Sequence, residues 1–187
     1  TQNISSVAAL ETGGFVTTWY GGNNNDLRGQ RFNDDGSMAG SEFTIGAEAG
    51  GTDPSITGLK DGGFVITWRS PSTNAKDGES YGIFGQRYDA SGNAAGDEFL
   101  VNTETADGQR DPSIASLEDG GFIIAWESQG QDVDSQGSSS NGIYGQRYGK
   151  DGIAVEGEFH VSTQTSYEQV APDVTALLGG GFVVTWQ

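Results

Sequence analysis

Hydrophobic and polar residues alternate over short segments of this chain. The clearest segment runs from Phe64 to Trp68, where Phe64, Ile66 and Trp68 would point to one side of a strand and Val65 and Thr67 to the other. No stretch sustains a helical period. The pattern predicts an all-β protein of short strands.

Three strings repeat in a fixed order. The first, Gly-Gly-Phe followed by three residues and Trp, ends at Trp19, Trp68, Trp126 and Trp186. The second, Gly-Gln-Arg-(Phe/Tyr), contains Arg31, Arg87 and Arg147. A Glu-Phe pair follows, with its Phe always 12 residues after the Arg, at Phe43, Phe99 and Phe159. Such internal similarity is typical of repeat architectures.

Each repeat is interpreted as four strands, A to D. In the second repeat these are A, Ser55 to Leu59 with Pro54 opening it; B, Phe64 to Trp68; C, Gly82 to Tyr88; and D, around Phe99 to Val101. Tight turns are expected at 60–63 and 89–93. Four strands per unit of this length favour a β-propeller blade, with tandem small β-domains or another β fold, such as a sandwich, as alternatives.

The repeats divide the 187 residues into about 1–50, 51–108, 109–169 and a partial unit at 170–187, within one propeller-type domain. Three and a half blades are fewer than a closed propeller uses. We therefore expect a longer chain or an assembly to complete the ring, and expect Phe64, Phe122 and Phe182 to be buried between sheets. The open strand edge of the last repeat is a candidate for self-assembly.

The connection between strands B and C varies most in length. The step from Trp to Arg is 12, 19 and 21 residues in successive repeats, whereas the step from Arg to Phe is constant. In a meander, the A–B and C–D turns share one end of the strands and the B–C and D–A connections share the other. Because loops on rigid scaffolds carry function, the B–C/D–A end is the candidate binding face, although unconstrained loops also drift in length.

Composition narrows the function classes. Nine Lys and Arg against 26 Asp and Glu give a net charge of −17, which repels nucleic acid and anionic membrane surfaces. There is no Cys and only one His, His160, which excludes disulfides and zinc sites built from several histidines. No run of residues is long and apolar enough to predict membrane insertion, and no organic cofactor motif occurs.

The repeated Trp and Arg have two interpretations. Trp19, Trp68 and Trp126 end strand B and Arg31, Arg87 and Arg147 lie late in strand C, so Arg could stack on Trp inside each blade. Gln30, Gln86 and Gln146 could donate hydrogen bonds to loop carbonyls. Their periodicity indicates an architectural role. The alternative is a sugar pocket in each blade, with Trp stacking on a pyranose and Arg bonding its hydroxyls.

Residue types suggest two further sites, a calcium loop and a catalytic centre. Asp132, Asp134 and Gln136, followed by Gly137, partly match a calcium loop, and a solvated acidic loop is the alternative. A Ser-His-Asp triad would need His160, which we expect to be a surface residue of an outer strand. Carboxylate pairs for glycoside hydrolysis are available among 26 acids, but none stands out in the sequence.

The segments Asp61 to Trp68 and Gly142 to Tyr148 resemble a tandem repeat of secreted bacterial RTX, or haemolysin-type, calcium-binding proteins and adhesins, which are integrin-α-like propellers. The resemblance covers nearly the whole chain and implies export to the bacterial surface or medium. The Gly-Gly-x-Gly-x-Asp calcium repeat of RTX proteins does not occur here.

Three hypotheses for function follow. The first is a non-catalytic extracellular binding or adhesion module for a glycan or another surface polymer. The second is part of a propeller enzyme that acts on extracellular polysaccharide. The third is a structural spacer. An enzyme should concentrate unusual residues in one or two loops around the propeller axis, whereas an adhesin should repeat similar loop chemistry in each blade.

Overall fold

The computed structural model describes residues 3–21, 26–46, 50–71, 81–133 and 137–187. Within these ranges the chain forms fourteen strands. They are β1 Asn3–Ala9, β2 Phe15–Gly21, β3 Asp26–Phe32, β4 Phe43–Ile45, β5 Thr52–Gly58, β6 Phe64–Pro71, β7 Tyr81–Tyr88, β8 Phe99–Leu100, β9 Gln109–Ser116, β10 Phe122–Val133, β11 Ser139–Tyr148, β12 Ala154–His160, β13 Asp173–Ala176 and β14 Phe182–Thr185. None of the described residues belongs to a helix that could cross a membrane.

The strands form antiparallel meanders. Blade 1 is β1–β4, blade 2 is β5–β8, blade 3 is β9–β12, and β13 and β14 form a half blade. The A strands lie side by side: the Ile114 amide donates to Ser55 Oγ at 3.3 Å, and the Val174 amide donates to Ser113 Oγ at 3.0 Å. Sheets that meet along their first strands form a β-propeller, so the predicted fold class is confirmed.

The core lies between blades rather than inside any one of them. Phe64, Ile66 and Trp68 pack toward blade 1, while Val65 packs toward blade 3. A strand that is buried on both faces cannot be stable in an isolated sheet, because each apolar face needs a neighbouring sheet. The alternation predicted for strand B is therefore confirmed.

An aromatic pair repeats at the start of strand B. Phe64 stacks on Tyr88 and Phe122 stacks on Tyr148, each with ring centroids 4.8 Å apart. Phe64 and Phe122 are fully buried, as predicted. Phe182 is only half-buried, which corrects the prediction for that residue. The physical reason is that no described strand C pairs with β14 to supply a stacking partner.

Two glycines close each A–B turn for different reasons. Gly62 has φ +84°, which favours glycine, and its amide donates to the Leu59 carbonyl. A Cβ on Gly63 would stand 2.4 Å from the carbonyl oxygen of Tyr88 in the neighbouring strand, so only glycine fits at position 63. The expected tight turns at 60–63 and 89–93 are both present, the latter with Asp89 and Asn93 hydrogen-bonded.

The bounds of strand A differ from prediction. In blade 2, strand A begins at Thr52, so Pro54 lies inside it rather than at its start. The pairing register shifts between Thr52 and Ser55. A bulge accommodates the missing proline amide, which is why the strand continues past Pro54.

The A–B and C–D turns lie together at one end of the propeller, as expected. A Cβ on Gly62 would contact both Thr12 of the preceding A–B turn and Ala90 of the C–D turn, so these turns share one end. The variable B–C connections therefore lie at the other end. Much of them, residues 22–25, 72–80 and 134–136, is outside the described ranges. The third extends as a hairpin in which Asp132 pairs with Ser140.

Candidate functional site

Five charged residues gather near the axis at the B–C/D–A end of the blades. We call Asp53, Arg69, Arg110, Asp111 and Glu127 the axial charge cluster. Arg69 Nε lies 3.3 Å from Asp53 Oδ2, and Arg110 Nε lies 3.8 Å from Glu127 Oε1. The cluster spans blades 2 and 3 and joins side chains that are up to 74 positions apart in the sequence, from 53 to 127.

Equivalent backbone positions create the cluster. Arg69 and Glu127 each follow the buried Trp of strand B, and β-sheet pairing places them opposite Thr52 and Arg110. Asp53 and Asp111 each precede a proline inside strand A and have φ +52° and +51°. Non-glycine residues are rarely held in this region, and functional sites are enriched in such backbone strain.

Glu127 is buried, with 2% of its surface exposed. Asn141 Nδ2 donates to Glu127 Oε1 at 2.8 Å, which holds the carboxyl in place. Burial raises the pKa of Glu127, and the carboxylates of Asp111 and Glu168 add to the rise. Arg110 and the backbone amide of Ala171 oppose it.

Asp111 is the second perturbed carboxyl. Asp111 is exposed as a residue, but partial burial of its carboxyl raises the pKa, and the nearby Asp53 carboxylate raises it further, while Arg69 and Arg110 oppose the rise. Two carboxyl groups with raised pKa values, beside a third carboxylate, form an arrangement suited to proton transfer. The same carboxylates and guanidinium groups can also hydrogen-bond sugar hydroxyls.

The cluster breaks the symmetry of an otherwise constant repeat. The residue after Trp is Tyr20, Arg69, Glu127 and Gln187 in successive units. The repeated strings do not reveal these residues, because their identity differs from blade to blade. The signal that could have revealed them is a position that changes in charge from repeat to repeat while the residues around it stay constant.

A second polar cluster lies farther from the axis in blade 3. Tyr144 Oη donates to the buried Asp132 Oδ1 at 2.7 Å, and His160 Nε2 lies 3.1 Å from Asp132 Oδ2. Ser162 Oγ lies 2.8 Å from the same His160 nitrogen. A Ser-His-Asp relay needs the serine and the aspartate on different ring nitrogens, so this is not a catalytic triad. His160 is exposed as a residue, yet its Nε2 faces the protein.

Asp132, one of the three predicted calcium ligands, belongs to this second cluster. Both oxygens of Asp132 already take part in contacts with Tyr144 and His160, while Asp134 and Gln136 lie outside the described residues. Among the residues that the structure describes, no three His, Cys, Asp or Glu side chains come close enough to hold a metal ion. A calcium site at this hairpin stays a hypothesis that depends on residues 134 to 136.

The repeated Trp residues lie in the cores between blades. Trp68 and Trp126 are fully buried, and Trp126 Nε1 donates to Gln109 Oε1 at 3.1 Å. Trp19 is half-buried. Neither Trp68 nor Trp126 offers a ring face to a sugar, and their burial agrees with the architectural interpretation.

The repeated Arg residues do not stack on Trp, which corrects that expectation. Strand pairing places Arg87 opposite Val65, whereas Trp68 pairs with Phe84. Because Val65 and Trp68 are an odd number of residues apart, they face opposite sides of the sheet. The cation–π contact found in the described part of the chain joins Arg69 and Tyr81 instead, at 4.8 Å from the ring centroid.

The Arg residues instead bind turns at the other end of the propeller. Arg31 donates to the carbonyls of Ala90 and Ser91 in the next blade, at 2.6 Å each. Arg87 and Arg147 form ion pairs with Asp61 and Asp119. The prediction for Gln is confirmed: Gln30 and Gln86 donate to the loop carbonyls of Gly40 and Gly96.

Comparison with known proteins supports the fold. No family model matches the chain, and no curated protein is significantly similar to it. A protein of unknown function from Dyadobacter fermentans matches with a TM-score of 0.64 and 14% identity over 100% of this chain and 62% of that one. An α-L-arabinanase from Penicillium chrysogenum, solved with arabinobiose, matches with a TM-score of 0.65 and 14% identity over 97% of this chain and 58% of that one.

A third structure gives the same result. The GH93 α-L-arabinofuranosidase of Fusarium graminearum, also solved with arabinobiose, matches with a TM-score of 0.67 and 14% identity, over 97% of this chain and 58% of that one. This chain thus spans about three fifths of the length of these three proteins. At such identities the similarity shows the shared fold.

Proposed function

We propose that this chain is part of a β-propeller that acts on an extracellular polysaccharide, and that the axial charge cluster holds the sugar. The observation that carries the proposal is that the buried Glu127 and the nearby Asp111 lie together around the propeller axis, and the raised pKa of each carboxyl supports it. The concentration of these unusual residues at one place in a regular frame supports an enzyme over an adhesin.

The chemistry fits hydrolysis of a glycosidic bond. Such hydrolysis needs one carboxyl group that is protonated and one that is ionised, and a raised pKa favours the protonated form of the donor. Glu127 is buried and held by Asn141, whereas Asp111 is exposed to solvent water. We assign the proton donor to Glu127 and the activation of water to Asp111.

The charge of the molecule limits the substrate. A net charge of −17 repels polyanionic polymers such as polyuronates. A neutral polysaccharide does not meet this barrier. The two arabinobiose-bound enzymes of similar fold act on such a class, which supports the choice of a neutral polymer. The RTX-like repeats support export as part of the proposal.

Release of reducing ends from arabinan and other neutral polysaccharides tests the proposal, with polygalacturonate as the charged comparison. We expect Glu127→Gln and Asp111→Asn each to lower turnover by about a hundredfold or more, the range for loss of general acid or base catalysis. Asp35→Asn, an exposed carboxylate in a turn at the other end of the blades, is the matched control. Turnover that survives both cluster substitutions contradicts the assignment.

A second candidate function is binding without cleavage. It is favoured by Tyr81, an exposed aromatic ring beside Arg69 of the cluster, because aromatic rings are good stacking surfaces for sugars. Retention on insoluble polysaccharide without release of sugar, weakened by Tyr81→Ala but not by Met38→Ala, would favour this function. Met38 is also exposed, lies in a C–D connection at the other end of the blades and serves as the control.

A further inference from the structure

A groove lies between blades 1 and 2. Strand D of blade 1 contributes Phe43 to its lining, strand C of blade 2 contributes Gln86 and Tyr88, and the C–D connection of blade 2 contributes Asp97 and Glu98. The groove has a volume of about 450 Å³, within the range of pockets that bind small molecules. Its lining shares no residue with the axial charge cluster, so it is a separate feature of the surface.

The ring of Tyr88 is fixed by packing, while its hydroxyl is left unused. Phe64 stacks on the ring at 4.8 Å and Phe43 makes a tilted contact at 5.3 Å, both between ring centroids. Tyr88 is only 7% exposed, yet its hydroxyl forms no hydrogen bond with any described residue. Burial raises the pKa of Tyr88 and the Glu98 carboxylate raises it further, so the hydroxyl keeps its proton.

The amide of Gln86 adds an acceptor to the same groove. Gln86 is buried, and its Nε2 donates to the carbonyl of Arg87 at 2.9 Å and to that of Gly96 at 3.1 Å. These two bonds use both amide hydrogens and fix the orientation of the amide group. Its Oε1 accepts no hydrogen bond from the described part of the chain. The groove therefore contains two buried side chains whose polar atoms lack a protein partner.

The lining of the groove is acidic. It includes the carboxylates of Asp97 and Glu98, and none of its described residues is Lys or Arg. The guanidinium of nearby Arg31 is already held by the carbonyls of Ala90 and Ser91. Acceptors thus outnumber donors, and the net charge of −17 also attracts cations. A ligand that fits this groove carries a positive charge and several N–H or O–H donors.

We propose that the groove between blades 1 and 2 binds an amino sugar, with the ammonium group on the carboxylates of Asp97 and Glu98. The Tyr88 hydroxyl and Gln86 Oε1 would bond hydroxyls of the ring. A sugar ring supplies these hydroxyls, which a simple alkylammonium ion lacks. The proposal goes beyond the proposed function and is independent of it, because it uses no residue of the axial charge cluster.

Titration of the ¹⁵N-labelled 187-residue chain with glucosamine, at constant ionic strength, tests the proposal by NMR. The amides of Gly96 and Glu98 should shift saturably. N-acetylglucosamine keeps the ring but loses the charge, and tetramethylammonium keeps the charge but has no N–H donor. Each should bind about tenfold or more weakly than glucosamine, which is within the range for loss of a hydrogen bond to a charged group.

Two substitutions locate the site. Tyr88→Phe should weaken glucosamine binding about fivefold, the value of one neutral hydrogen bond. This variant should keep its fold, because Phe32 occupies the equivalent position of blade 1 and stacks on Phe15 at the same 4.8 Å. Glu98→Gln should weaken binding about tenfold or more, because it removes a charged acceptor.

Tyr148→Phe is the matched control, because it makes the same substitution at the equivalent position of blade 3. The carboxylate near Tyr148 is that of Glu158, which already accepts hydrogen bonds from the Thr103 amide at 2.7 Å and from Gln131 Nε2 at 3.0 Å. Tyr148→Phe should leave glucosamine binding unchanged. The proposal is overturned if no saturable shift occurs, if either comparison compound binds as tightly as glucosamine, or if Tyr88→Phe weakens binding no more than Tyr148→Phe.

Discussion

Glu127 and Arg69 occupy the same position in consecutive blades, yet they carry opposite charges. The buried Trp before each residue is constant, so the frame holds these side chains at one distance from the axis while their chemistry changes. Desolvation at this position has a measurable consequence. A buried carboxyl that keeps its proton binds it more tightly in the folded chain than in the unfolded one.

This difference sets a pH dependence of stability. Because the folded pKa of Glu127 is raised above the ordinary value of about 4.3, its contribution to the free energy of unfolding falls as pH rises through the interval between them. Glu127→Gln should remove this fall, so urea unfolding from about pH 4 to about pH 7 should show a flatter profile than wild type.

Asp35→Asn is the control, because the pKa shift of Asp35 has the opposite sign to that of Glu127. The Ser37 hydroxyl and amide lower the pKa of Asp35, so its contribution is present above its unfolded pKa and is lost as pH falls. Asp35→Asn should therefore lessen the loss of stability in acid. Parallel profiles for wild type and Glu127→Gln would show that burial does not perturb Glu127.

In each complete blade, a glycine of strand C packs against the phenylalanine ring of strand D. Gly85 pairs with Phe99, and a Cβ at Gly85 would stand 2.5 Å from the ring. Gly29 and Phe43 repeat the arrangement at the same distance, and Gly145 and Phe159 repeat it at 2.9 Å. The Gly of Gly-Gln-Arg and the Phe of Glu-Phe thus pack directly against each other in every blade. This contact explains their constant spacing along the chain.

Gly85→Ala should destabilise the chain by about 1–3 kcal/mol, the usual cost of overpacking. In a chain that already carries Phe99→Ala, the same substitution should cost clearly less, because the ring that it strikes is gone. Urea unfolding of the two single variants and the double variant measures this coupling.

Gly157→Ala provides the control, since a Cβ there meets nothing within 4 Å and its φ is not positive. It should change stability little. Equal costs of Gly85→Ala in the two backgrounds would show that the ring does not require the glycine.

The molecule as a whole carries a charge of −17. Self-repulsion of this size weakens the compact state, and added ions should relieve it. A specific calcium site would act in addition, through the oxygen ligands of the third B–C hairpin.

The calcium hypothesis predicts that calcium raises the melting temperature more than magnesium or sodium chloride of matched ionic strength. Calcium accepts irregular sets of oxygen ligands that magnesium does not. Asp134→Asn should abolish the difference between the two cations. It is a sharper test than Asp132→Asn, which would also disturb the contacts of Asp132 with Tyr144 and His160. Equal responses to all three salts would leave screening as the whole effect.

The strands, the turns and the blade repeat could be predicted from local sequence patterns. These features depend on residues close together in the chain: the alternation in Phe64 to Trp68, the glycines at 62 and 63, and the constant step from Arg87 to Phe99. Meander sheets are built from such local contacts, so their pattern is visible in one dimension.

The position of the candidate site could not be predicted in this way, because it depends on contacts between blades. Stacking of blades brings Asp53, Arg69, Asp111 and Glu127 together, although no short string contains them. It also buries Trp68 and Trp126, which the sequence left open to sugar. The physical reason is that contacts between blades join residues one repeat apart, and burial and charge at such contacts depend on the neighbouring sheet rather than on neighbours in the chain.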